Sequence, residues 1–280
     1  MTEPFGQRLA DAVAARGPLC VGIDPHAPLL EAWGLSDDAD GLARFTDAVV
    51  DALAGTVAVL KPQLAFYERH GSRGLAVLEE ATARARAAGA LVLLDAKRGD
   101  IGSTMDAYAD YLRPDHPLAV DAMTVSPYLG PRSLQPAVDT ARQFGGGLFV
   151  LARTSNPDAG TLQHAVVGDR SVAQVVVDAV RGWNTHDGQD QASRFGPTTG
   201  SFGVVVGATL SELDVDLAGL GGPVLAPGLG AQGGTVSDLR RLFGASSAVV
   251  PTVSRDVLGA GPDRAALRAA AERWAEALAA

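Results

Sequence analysis

Short runs of Val, Leu and Ala alternate along this chain with longer amphipathic stretches, and Gly or Pro separates most of them. The apolar runs fall at 19–24, 56–61, 90–94, 118–125, 147–151, 202–206, 224–226 and 247–252. Runs this short, bounded by turn residues, read as buried strands. Helical spacing occupies 37–54, 64–88 (with breaks at Gly71 and Gly74), 104–112, 131–143, 171–183, 211–217, 237–243 and 263 to the end. One further amphipathic helix, Phe5–Arg16, precedes the first strand and is stopped by Gly17-Pro18.

Eight strands alternating with eight helical segments imply parallel strands joined by right-handed crossovers. The length and the count favour a closed (β/α)8 TIM barrel with an extra N-terminal helix, in a single domain spanning 1–280. An open doubly wound sheet is the runner-up, because patterning does not show closure. The polar stretch 184–200, with its Gly, Asp and Gln, reads as a solvated insertion at the amino-terminal end of the barrel, His186 and Arg194 included.

Composition narrows the possibilities. The chain has 280 residues, is 47% hydrophobic and carries a net charge of -9, so a full core is available and nucleic acid is an unfavourable partner. The single cysteine, Cys20, lies in an apolar run and fits a reducing cytoplasm better than a disulfide framework. Neither a signal peptide nor a stretch of ~20 apolar residues is visible, so the expected location is cytoplasmic, without membrane attachment. The five histidines form no metal-ligand spacing, and His26, between two prolines, reads as a turn residue. Trp33, Trp183 and Trp274 read as packing residues.

A barrel of this kind carries its functional groups just after the strands. Asp24 ends the first strand and Lys61 the second, while Asp95 and Lys97 end the third, within Leu-Leu-Asp-Ala-Lys-Arg-Gly-Asp-Ile-Gly. In an extended strand residues i and i+2 share a face, so Asp95 and Lys97 point the same way. Asp100 follows in a Gly-flanked turn, giving a cation held between two carboxylates. The fifth strand runs into Arg153-Thr154-Ser155-Asn156-Pro157, and the seventh into Pro227-Gly228-Leu229-Gly230-Ala231-Gln232-Gly233-Gly234. A glycine-rich run alone is equally a flexible surface turn. With Arg255 one strand further on, a phosphate grip is the better reading, because backbone N–H groups and a guanidinium fork both suit phosphate.

The Asp95-x-Lys97-x-x-Asp100 string closely resembles the signature of orotidine 5'-phosphate decarboxylases, and the Lys-Pro-Gln at 61–63 is similar to the branch found in mycobacteria and their relatives. The resemblance extends from Asp24 to Arg255 and implies conversion of orotidine 5'-phosphate to uridine 5'-phosphate and carbon dioxide in pyrimidine biosynthesis, with no metal and no cofactor. It implies a catalytic set of Lys97, Asp95, Asp100 and Lys61, with Lys97 as proton donor to C6. Substrate contacts would come from Asp24, Thr104, Ser155, Pro227, Gly228, Gly230, Gln232, Gly233 and Arg255, with neighbouring Thr154 an alternative to Ser155. It also implies a homodimer in which Asp100 and Thr104 serve the partner's site. The sequence departs from the commoner Val-Gly-Arg-Ser around the arginine, reading Val253-Ser254-Arg255-Asp256.

Two other classes compete. Related sugar-phosphate decarboxylases and aldolases share Asp-x-Lys-x-x-Asp but use magnesium held by extra acids, where this chain has Lys61. A nucleotide-binding protein without turnover is the non-enzymatic alternative; the intact charged motif and phosphate loop speak against it.

Overall fold

Eight parallel strands hydrogen-bond around a full circle in a computed structural model, which describes residues 3–188, 200–244 and 248–280. They are β1 (Cys20–Ile23), β2 (Val59–Pro62), β3 (Leu91–Arg98), β4 (Ala122–Val125), β5 (Gly147–Arg153), β6 (Phe202–Val206), β7 (Val224–Pro227) and β8 (Val249–Val253). Each pairs with its sequence neighbours, and β8 closes on β1 through Cys20 opposite Thr252. The eight expected strands are therefore all present, in a closed barrel. The first residue of the last expected strand, Ser247, lies outside the described residues.

The alternation of side chains along each strand divides the apolar residues into two cores. Residues facing outward, such as Val21, Leu60, Val92 and Val204, pack under the surrounding helices. Those facing inward, among them Cys20, Val59, Leu93, Phe149 and Leu225, fill the lumen. The N-terminal helix Phe5–Arg16 closes the amino-terminal end of the lumen with Phe5 and Leu9. The Phe5 ring meets Phe149 edge-on at 6.0 Å and stands where a Cβ on Gly147 would lie 2.3 Å from it, so β5 needs glycine there. Arg8 fastens the helix by pairing with buried Asp121 and donating to the Gly145 carbonyl. Truncating Phe5 to Ala would cost about 3–5 kcal/mol.

Differences from the sequence reading have local causes. Residues 211–217 are not helical. Their polar side chains hold other partners: Asp214 pairs with Arg153 and His164, and Asp216 accepts from the Ala218 N–H. Such bonds compete with helix formation. Gly74 does not break its helix, which runs Gly71–Ala87. A helix at Ala27–Ala32 is capped by His26, whose Nδ1 accepts from the Leu29 N–H at 3.1 Å. The loop after β5 contains a helix, Ala159–Gln163, and a two-stranded hairpin.

The expected insertion begins later than the sequence suggests. The helix Val172–Gly188 runs through Asn184, which is buried rather than solvated. Its amide donates to the Phe202 and Leu220 carbonyls and accepts from the Phe202 N–H, tying the helix to the start of β6. Residues 189–199, including Arg194, lie outside the described residues, as does the His186 side chain.

Candidate active site

The carboxyl ends of the strands surround a cavity of about 240 Å³. Its polar lining includes Asp24, Lys61, Gln63, Asp95, Lys97, Thr124, Thr154, Gln232 and Arg255; Leu151, Val205 and Leu225 supply an apolar wall.

Asp95 is the hub. Lys61, one strand away on β2, donates to its Oδ2 at 2.8 Å, and Gln63 donates to the same oxygen at 3.0 Å. Its Oδ1 accepts from Lys97 Nζ at 2.6 Å and from the Thr124 hydroxyl on β4 at 2.8 Å. A carboxylate with both oxygens doubly engaged is fixed in orientation. Burial alone would raise its pKa, but the facing Lys61 and Lys97 ammonium groups outweigh burial and hold it well below the usual carboxylate range. Burial likewise opposes charge on Lys61, and Asp95 with Asp24 overcomes it, keeping Lys61 protonated far above its ordinary value. The result is a row of alternating sign: Asp24, Lys61, Asp95, Lys97.

Asp95 and Lys97 face the same way, as strand alternation predicts, but by a different route. Lys97 has φ 50, in the left-handed region that a side chain disfavours. Pairing with β4 jumps from Leu94 opposite Met123 to Arg98 opposite Val125, so β3 bulges across the motif. The bulge turns the Lys97 ammonium back onto Asp95 at the cavity mouth.

Asp24 lines the cavity at the end of β1, beside Lys61, and its Oδ1 is buried without a hydrogen-bond partner among the described residues. An acceptor in that condition suits a hydroxyl donor on a ligand. The glycine-rich turn after β7 is held by its own backbone: Gly230 N–H donates to Gly234 O at 2.9 Å and Gly234 N–H to Gly228 O at 3.0 Å. Pro227, Gly228 and Gln232 face the cavity, and Arg255 reaches it from the residue after Ser254. Gly230 and Gly233 instead line a groove on the outer side of the turn. Gly230 is needed for its backbone, which has φ 69, and a Cβ there would in addition lie 2.2 Å from the Asp256 carboxylate.

Besides Gly230 and Gly233, three further expected site residues stand apart from this cavity. Asp100 does not hold Lys97 from the other side; its Oδ1 accepts from the Ile101 N–H at 2.8 Å. Thr104 is exposed on the helix Gly102–Ala109. Ser155 is exposed, while its neighbour Thr154 lines the cavity and is gripped twice by Gln163, from the loop helix. Gln63 and Thr124 are the site residues that sequence reasoning missed. Their place at strand ends was visible, but both are uncharged.

A family model described as "Orotidine 5'-phosphate decarboxylase / HUMPS family" matches residues 17–270. The chain belongs to this family. It is 60% identical over 276 residues to an orotidine 5'-phosphate decarboxylase of Streptomyces coelicolor, covering 98% of this chain and 96% of that one. A homologue of the same description in Salinispora arenicola is 58% identical, over 97% of this chain and 95% of its own. Among solved structures, a candidate orotidine 5'-phosphate decarboxylase of Streptomyces avermitilis superposes with a TM-score of 0.92 at 58% identity, covering 100% and 97% of the two chains. The Leishmania donovani OMP decarboxylase gives 0.73 at 32% identity, over 99% and 98%. Within the orotidine 5'-phosphate decarboxylase / HUMPS family, the barrel and the Asp95–Lys97 hub of this chain are thus accompanied by relatives matched over nearly their full length.

Proposed function

We propose that this protein is an orotidine 5'-phosphate decarboxylase, a carboxy-lyase releasing carbon dioxide and uridine 5'-phosphate in pyrimidine biosynthesis, and that it does so without metal or cofactor. The observation that carries the reading is the Asp95 carboxylate with one ammonium on each oxygen, at the open end of the barrel.

Loss of the C6 carboxylate leaves an electron pair in an sp2 orbital that the ring π system does not take up. A fixed positive charge beside C6 answers that need. Lys97 is the member of the row open to a ligand, its side chain 45% exposed against 6% for Lys61. Its ammonium stabilises the developing carbanion and delivers a proton to C6 as carbon dioxide leaves, then regains a proton from water. Lys61 and Gln63 hold Asp95, and Asp95 aims Lys97. Both oxygens of Asp95 are occupied by the Lys61 and Lys97 ammonium groups, an arrangement that suits a metal-free site better than a magnesium-dependent one.

The rest of the substrate follows the lining of the cavity. Asp24 takes a ribose hydroxyl, Thr154 with Ser155 faces the base, and Gln232 with Arg255 and the turn from Pro227 holds the phosphate. Asp100 and Thr104, turned away from their own cavity, are assigned to the site of a second copy in a homodimer. Exposed Ile101, Tyr128 and Leu129, on loops after adjacent strands, offer apolar surface for that contact. No described helix is long and apolar enough to cross a membrane.

The test is turnover of orotidine 5'-phosphate, followed by ultraviolet absorbance, with and without a strong chelator. Chelator-insensitive turnover is expected. Absence of turnover by folded protein would overturn the reading, and chelator-sensitive turnover would overturn its metal-free part.

A further inference from the structure

We propose that Thr124, on β4, is the positioning residue that sets the aim of Lys97. The proposal rests on the decarboxylase reading of the site and adds a group outside the charged motif.

Across the bulge, Asp95, Ala96 and Lys97 face the single residue Thr124, because Leu94 pairs with Met123 and Arg98 already pairs with Val125. A bulge leaves ladder groups without their strand partners, and one of them here is the Lys97 N–H. The Thr124 hydroxyl accepts that N–H at 3.0 Å and passes its own hydrogen to Asp95 Oδ1 at 2.8 Å. One oxygen therefore grips both ends of the acid–lysine pair: the backbone of the lysine and the carboxylate on which its ammonium rests. Thr124 is itself 1% exposed and sits in the middle of β4, so its position is set by barrel packing rather than by the loop.

The grip falls where the chain most needs one. Lys97 is the only non-glycine residue with positive φ among the described residues, and such a conformation persists when surrounding bonds over-determine it. Without the hydroxyl, Lys97 N–H is left unpaired in a part-buried position and the peptide is free to relax toward an ordinary strand. In that geometry the ammonium no longer returns to Asp95 Oδ1. Charge at the site would be unchanged; only its placement would be lost.

Thr124→Val keeps the shape and removes both bonds, whereas Thr124→Ser keeps the hydroxyl and removes the methyl group. Expected is a fall in kcat of about 10–100-fold for Thr124→Val, the scale set by misplacement of a reacting group of about 1 Å. KM for orotidine 5'-phosphate should stay within about threefold, and Thr124→Ser should remain near wild type. Amide hydrogen exchange at Lys97, read without substrate, should accelerate in Thr124→Val and not in Thr124→Ser. If Thr124→Val does not fold, Thr124→Ala against Thr124→Ser isolates the hydroxyl in the same way. Unchanged kcat and unchanged exchange in Thr124→Val would overturn the proposal, and so would a Ser variant as impaired as the Val or Ala variant. An inactive wild type would instead overturn the decarboxylase reading, and the exchange comparison would then decide whether Thr124 holds Lys97.

Discussion

Lys61 and Asp95 reach each other from neighbouring strands and form a buried ion pair, Nζ to Oδ2 at 2.8 Å. Breaking a buried pair from one side strands the other charge, at a cost of about 3–5 kcal/mol. Lys61→Met should therefore lower both stability, by about that amount, and turnover. Lys97, half exposed at the mouth, is a different case. Lys97→Ala should change stability by about 1 kcal/mol or less, as for exposed pairs, yet reduce kcat by at least about 1,000-fold. Urea unfolding alongside steady-state kinetics separates the two lysines. Equal stability losses would show that they share one role.

The same pair sets a pH window. Asp95 is held below its unfolded pKa of about 3.9, so its contribution is complete above that pH and is lost as pH falls through the folded value. Lys61 is held above its unfolded value of about 10.4, so its contribution is complete below that pH and fades as pH rises through the folded value. Between about pH 5 and pH 9 the pair contributes in full. Asp95→Asn should be less stable at pH 6 but lose less stability than wild type between pH 6 and pH 3. Parallel pH profiles from urea unfolding would contradict this.

At the end of the cavity proposed to take the phosphate, Arg255 is exposed and lines the wall. Arg255→Ala should raise KM about 10–100-fold, the worth of charge-assisted hydrogen bonds, with stability nearly unchanged. Gly230→Ala should raise KM without touching the ligand, because the new Cβ meets the Asp256 carboxylate and Gly230 has φ 69. Inhibition by uridine 5'-phosphate against inhibition by uridine checks both variants. An effect equal for the two ligands would place the defect away from the phosphate.

Cys20 faces the lumen and is fully buried, with burial pushing its thiol up to about 12. It should resist an aromatic disulfide reagent at pH 8 in the folded protein and react promptly in denaturant. Ready labelling under native conditions would show that the lumen opens.

The barrel was legible because each strand is a short apolar run and each junction carries Gly, Pro or a cap. The helix expected at 211–217 was not, since Asp214 and Asp216 spend their side chains on Arg153, His164 and a local N–H rather than on solvent. Asn184 was misread for the converse reason: a polar residue at the edge of a polar stretch is bonded inward to three backbone groups. In the site, charge made Asp24, Lys61, Asp95 and Lys97 visible. Gln63 and Thr124 carry no charge, and the bulge that gives Thr124 its work depends on register between two strands, which no single segment of sequence displays. Asp100 was legible as part of a motif, but its direction depends on the turn, where it bonds the next N–H.

The aromatic stopper that Phe5 places under the lumen closes its floor, and the site cavity opens at the other end, among the carboxyl ends of the strands. On the proposed reaction, carbon dioxide formed beside Asp95 would leave past the same rim through which the nucleotide enters. Shaving the stopper, as in Phe5→Ala, would loosen the floor of the lumen rather than widen its mouth.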